Sequence, residues 1–199
     1  MFMSKKILSL LLFSVLLMLI ISQKKSDQNQ WPSSSADSLY LAKGKKHVMA
    51  LQQVLVGQLV SSITQNGTAG AVDFCQVRAI PLTNSISQKQ GAVISRVTDR
   101  PRNPDNFGNS IELAIIDQMK ANKAKGQDLV PELRKNKNNV TAYYPIVTNA
   151  LCMQCHGNPD TQISPETMKR LEKYYPNDMA TGYSENEVRG LWKVIMEMD

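Results

Sequence analysis

The chain is 199 residues long, 42% hydrophobic and 20% charged, which excludes a wholly disordered or collagen-like protein and leaves room for one domain. The formal net charge is +6, but Lys5 and Lys6 stand in an acid-free N-terminal segment; taking those two from 23 basic residues leaves 21 against 17 acidic ones, a surplus of +4. That surplus is scattered with no interleaved aromatic residues, so a nucleic-acid surface is not expected.

Met1 to Lys6 is short and positive, and Ile7 to Ile21 is apolar except for Ser9 and Ser14. A basic segment followed by such a run is the pattern of a secretory signal. Fifteen residues at helical rise cover about 22 Å, short of the roughly 30 Å hydrocarbon core, which favours a cleaved signal. Ile20 and Ser22 make a poor cleavage site, and Lys24 and Lys25 could instead stop transfer and leave an anchor. On both readings of residues 1–22 the domain is extracytoplasmic, periplasmic in a bacterium, and meets a membrane only through this segment. Residues 23–37 are polar and Ser-rich and read as a linker.

Residues 38–65 read as a long amphipathic helix, with Val48, Leu51, Leu55, Leu59 and Ile63 on one face. Asn66-Gly67 is a natural stop. A second helix is expected from Thr68 to Ile80, closed by Pro81, with Val72, Cys75 and Ala79 inward. Residues 92–97 read as a strand, followed by a Pro- and Asn-rich loop to Asn106. A third helix is expected over about 109–125 with Ile111, Ile115 and Met119 on one face. Residues 130–139 form a charged connection with no assignable element. Residues 140–147 lean to strand, Ser164-Pro165 opens a short helix, and residues 188–198 alternate as a final strand. Helices first, then strands interrupted by helices, give an α+β domain with an antiparallel sheet.

The chemistry is concentrated in Cys152-Met153-Gln154-Cys155-His156, the C-x-x-C-H pattern of covalent c-type haem attachment. Two thiols two residues apart can add across the two haem vinyl groups, and the next residue then stands beneath the iron as proximal ligand. A zinc site from Cys75, Cys152, Cys155 and His47 would leave His156 without a role. A thioredoxin-like dithiol or a simple disulfide would not require the histidine. The sixth iron ligand stays open on spacing alone: Cys75 is left unpaired by the motif, His47 follows three lysines on what reads as a solvated helix end, and ten methionines are available.

An ordered series of further motifs runs through the chain: Phe74-Cys75; Arg96-Val97 followed by Arg102-Asn103-Pro104-Asp105-Asn106; Tyr143-Tyr144-Pro145-Ile146; the haem motif continuing to Pro159; the stretch from Tyr175 to Tyr183; and Arg189-Gly190-Leu191-Trp192. This series resembles the exported bacterial c-type haem domains with a PAS-like fold, formerly a domain of unknown function and proposed as haem sensors. The resemblance covers roughly residues 38–197. Thr98-Asp99-Arg100 and Asn109-Ser110 depart from it. It implies a PAS-like antiparallel sheet flanked by helices and preceded by a long N-terminal helix. It also implies one covalent haem c held between sheet and helices, with His156 and the thiolate of Cys75 as axial ligands.

Haem propionates need cationic or hydrogen-bonding partners, and Arg96, Arg100 and Arg102 beside the pocket loop are candidates, with Tyr143 and Tyr144 as donors. A thiolate favours ferric iron, and reduction would raise the thiol pKa and weaken the ligand. Loss of Cys75 would open a site for CO, NO or O₂, so a redox or gas sensor is expected, acting on a small diatomic ligand or a partner protein. The alternative is a small periplasmic electron-transfer cytochrome c with a redox partner protein. An enzyme is not expected, because no distal acid or base is evident. No output module follows the last strand in the sequence, so a sensor would signal through another protein.

Overall fold

In the computed structural model residues 35–198 are described; the expected signal or anchor over residues 1–22, and the linker as far as residue 34, lie outside them. Helix α1 (Ser35–Gln90) leads into strand β1 (Val93–Val97), a single 3-10 turn (Pro104–Asn106), α2 (Ser110–Ala124), β2 (Glu132–Lys135), β3 (Asn139–Val147), α3 (Ala150–His156), α4 (Pro165–Tyr174) and β4 (Val188–Glu197). The strands form one antiparallel sheet in the order β1-β4-β3-β2, so the fold is the expected α+β arrangement of a sheet flanked by helices.

Helix α1 is broken at Gly67, whose φ of 69° and ψ of 174° lie outside the helical region and are open to a residue without Cβ. The break makes α1 a hairpin. His47 Nδ1 lies 2.5 Å from Gln90 Oε1, although these residues stand 20 and 23 positions on either side of Gly67. At about 1.5 Å per residue each arm spans about 30 Å or more, so its far ends meet only if the arms run antiparallel. Along the first arm the expected face holds: Val48 and Leu51 are buried, and Leu55, Leu59 and Ile63 are half-buried.

The second arm does not stop at Pro81, as the sequence predicts, but runs on to Gln90. A proline removes one N–H and frees the carbonyl four residues earlier. Here that carbonyl belongs to Val77, which is 59% exposed and so open to water. Across the proline the buried Thr83 hydroxyl donates to Ala79 O within the arm at 2.8 Å, and Ser87, whose Oγ accepts from Ile94 N, ties the arm to β1.

Helix α2 covers one face of the sheet through Ile115, Ile116 and Met119, packed against Val97, Tyr143, Val188 and Leu191. Ile111, expected inward, is 57% exposed. The capping box explains the rotation. Asn109 caps the helix, Glu112 accepts from Asn109 N at 2.9 Å, and the buried Glu112 carboxylate pairs with Lys193 at 2.7 Å. Glu112 thus takes the inward place in the first turn. Strand β2, unassigned in the sequence, is an edge strand with one buried apolar residue, Leu133, among Glu132, Arg134 and Lys135. Charged edge strands carry little apolar alternation.

The opposite face carries the cross-strand row Arg96–Trp192–Tyr144, because directly paired residues project to the same side. On this face Tyr144 donates its hydroxyl to Leu41 O in the first arm of α1 at 2.7 Å.

Candidate functional site

The motif helix α3 begins at Asn149, whose side chain accepts from Cys152 N, and ends at Gly157. It is pinned from three sides. Thr68, beside the hairpin turn, donates to Gln154 Oε1 at 2.9 Å. Arg102 Nη2 donates to Cys155 O at 2.6 Å. The stretch after α4 zips onto its end, with Gly182 N donating to Gly157 O and Tyr183 N to His156 O.

The imidazole of His156 is oriented by backbone. Its Nδ1 lies 2.7 Å from Ala180 O, a carbonyl that can only accept, so Nδ1 carries the proton and Nε2 keeps its lone pair. Tyr183 meets the ring edge-on at 6.5 Å between centroids. Burial, and then Arg102 and Arg189, hold the histidine pKa well below its ordinary value, so the ring is neutral near pH 7.

The peptide that holds the ring is itself held. Asp178 accepts from Arg102 Nε at 2.9 Å with one oxygen and from Ala180 N at 2.8 Å with the other. Arg100 donates from Nε to Met179 O at 3.1 Å and from Nη2 to Thr181 O. Every carbonyl from Met179 to Thr181 is therefore taken by Arg100 or by His156.

The hairpin brings Cys75 to this region. Val72, one turn before it, packs with Ile163 and Leu171, and Cys155 and Tyr175 lie against the same cluster. Asp73 pairs with Arg170 of α4 at 2.6 Å. Burial pushes the Cys75 thiol pKa up, while Arg96 and then Arg102 pull it down. The Cys155 thiol is pushed up to about 11, chiefly by burial. All three cysteines are free thiols.

A cavity of about 150 Å³ lies beside the motif, lined by Cys152 and His156 with Arg96, Thr98, Asn106 and Arg189 among its walls. Gly190 lines it too, and a Cβ there would collide with Val97 O, so the close approach of β4 to β1 requires glycine.

The structure thus gathers Cys75, Arg96, Arg102, Cys152, Cys155 and His156 in one region. Tyr144 is not among them: its hydroxyl is committed to Leu41 O, on the hairpin arm. His47 sits at the open end of the hairpin beside Gln90, whereas the motif helix docks at the turn, so the Cys75–Cys152–Cys155–His47 zinc set is not assembled. Among the described residues no three His, Cys, Asp or Glu side chains gather as a metal-ion ligand set.

The donor chemistry fits a covalently attached haem: two free thiols and a neutral imidazole with an open Nε2 on one helix, beside cationic walls. The cavity volume is below the roughly 300–1,000 Å³ usual for ligand pockets, so it is the donor set and not the size of the void that points to the haem. Of the sequence candidates, Arg100 is spent on Met179 O and Thr181 O, and Tyr143 packs in the apolar cluster under α2; sequence reasoning did not single out Arg189 as a propionate partner. Its place in the Arg189-Gly190-Leu191-Trp192 motif was the available signal.

No curated protein matches the chain. Among solved structures, the crystal structure of the cyanobacterial heme-protein Tll0287 shares the fold, with a TM-score of 0.59 at 20% identity over 80% of this chain and 96% of that one. The model of the Tll0287-like family matches residues 17–197, and the chain belongs to that family.

Proposed function

We propose that the chain is an exported c-type haem protein carrying one covalent haem, with His156 and Cys75 as axial ligands, and that it serves as a redox or gas sensor rather than an enzyme. The observation that carries this reading is His156 itself: its Nδ1 is fixed by Ala180 O, and its Nε2 is free beside Cys152. The family, and a structural relative described as a heme-protein, support the cofactor.

When bound, the haem iron would supply one-electron redox chemistry and a seat for diatomic ligands. The chain supplies the rest. Cys152 and Cys155 would hold the group through thioether bonds to its two vinyl substituents. Ala180 O keeps the His156 proton on Nδ1. Burial holds Cys75 as a thiol, and Arg96 and Arg102 offset that only in part, so its thiolate would depend on the iron. A protonated thiol is a poor ligand, and its departure would release the second hairpin arm.

The rival reading, a periplasmic electron carrier, gains from the ties that hold that arm down, Thr68 to Gln154 and Asp73 to Arg170. A carrier keeps six ligands through its cycle. Absorption spectra of the exported protein reduced with dithionite, before and after CO, separate the two. Rapid adduct formation supports the sensor with Cys75 as its switch, whereas an unchanged spectrum supports the carrier. A haem that extracts freely into acid acetone would overturn covalent attachment.

A further inference from the structure

We propose that Arg189, together with Arg96, is the seat for the carboxylates of the bound porphyrin, so that the propionates lie at the β1–β4 end of the cavity. This deepens the haem reading and rests on it.

The four arginines around His156 are not equivalent. Arg102 is satisfied: it pairs with Asp178 and donates to Cys155 O. Arg100 is spent on Met179 O and Thr181 O. Arg96 and Arg189 both line the cavity with Cys152 and His156, and neither belongs to an ion pair among the described residues.

Arg189 is aimed and incomplete. Its Nη1 donates to Thr98 Oγ1 at 2.8 Å, and its guanidinium lies 5.1 Å from the centre of the Tyr183 ring. Its Nε is buried with no hydrogen-bond partner. A buried, unpartnered donor on a cation is costly unless an anion completes it. Arg96, half-buried with its guanidinium 5.8 Å from the centre of the Trp192 ring, is the second cation of the same walls. Two such cations repel each other, and a ligand with two carboxylates relieves both. Asn106 supplies a further amide on that wall. The arrangement sets the direction of the porphyrin: carboxylates toward Arg96 and Arg189.

The test uses the full chain prepared without haem, under reducing conditions, and Fe(III) mesoporphyrin IX, which lacks vinyl groups and so cannot form thioethers. Its dimethyl ester is the matched ligand without carboxylates. The unaltered protein should bind the free acid about 10–100-fold more tightly than the ester, the scale of charge-assisted hydrogen bonds. Arg189→Gln should reduce that preference to a few-fold, and Arg189→Lys, which keeps the charge, should retain part of it.

Equal affinity of the unaltered protein for acid and ester would overturn the carboxylate seat and leave the haem reading standing. Full discrimination in Arg189→Gln would overturn the role of Arg189. Binding of neither porphyrin would overturn the haem reading and this inference with it. Should Arg189→Gln fail to fold, the ester comparison on the unaltered chain and Arg189→Lys still decide the matter.

Discussion

The two faces of the sheet are built on opposite rules. Under α2 the contacts are Val97, Ile115, Ile116, Met119, Tyr143 and Leu191, an apolar layer in which the one buried carboxylate, Glu112, is paired with Lys193 and used in its own helix cap. On the motif side Arg96, Arg100, Arg102 and Arg189 lie near a neutral histidine, and only Arg102 has a carboxylate partner; Arg100 is spent on backbone carbonyls, and Arg96 and Arg189 line the cavity. The first face is complete in the chain as it stands. The second holds polar groups in an arrangement that burial penalises unless something else binds. The contrast teaches where to look for function: the face that is energetically unfinished.

The comparison breaks most sharply at the thiols. Replacing Cys152 and Cys155 with alanine should abolish covalent haem completely, read as haem lost to acid–acetone extraction, while leaving the fold intact by circular dichroism. Ile116→Ala should do the reverse. A fully buried isoleucine removed from the α2 face costs about 2–5 kcal/mol in urea melts, and the haem spectrum should not move. A large spectral change in that variant would mean the two faces are coupled.

Asp178→Asn sharpens the same line from the motif side. It weakens the Arg102 pair and the grip on Ala180 N, with an expected loss of about 1–3 kcal/mol. Because Ala180 O orients His156, the reduction potential should shift as well, a readout that a merely structural role would leave unmoved. Rescue by Asp178→Glu would support a positioning role.

The smallest effect is expected at Tyr143. Burial, and then Glu112, raise its phenol to about 12 against 10.0 in the unfolded chain. The folded state therefore favours the protonated form. Its contribution is fully present below about pH 10 and is lost as pH rises toward 12. Tyr143→Phe cannot ionise, so alkaline unfolding should begin at higher pH than in the unaltered chain.

Much of this molecule is legible in local sequence. The helix stop at Asn66-Gly67, the helix beginning near Asn109, the Ser164-Pro165 start and the strands around Tyr144 and Trp192 each rest on a few adjacent residues, where backbone sterics and capping act. The motif from Cys152 to His156 is legible for the same reason: its chemistry requires fixed spacing within a single helical turn. Pro81 misled because its effect depends on whether the freed carbonyl reaches solvent. Ile111 misled because a capping carboxylate took the inward position. Strand β2 was invisible because an edge carries charge instead of alternation.

What only the tertiary structure decided is which residues meet. Folding α1 back at Gly67 brings Cys75 to a motif some 80 residues later, and leaves His47 at the far end beside Gln90. Strand pairing gives Tyr144 to the hairpin and opens Arg189 to the cavity. Among the arginines near the motif, Arg102 goes to Asp178 in the loop after α4, while Arg96 and Arg189 are left on the cavity wall. Sequence fixes which chemical groups a chain owns. Their roles follow from burial and from which partners are already taken, and those are properties of contacts between distant segments.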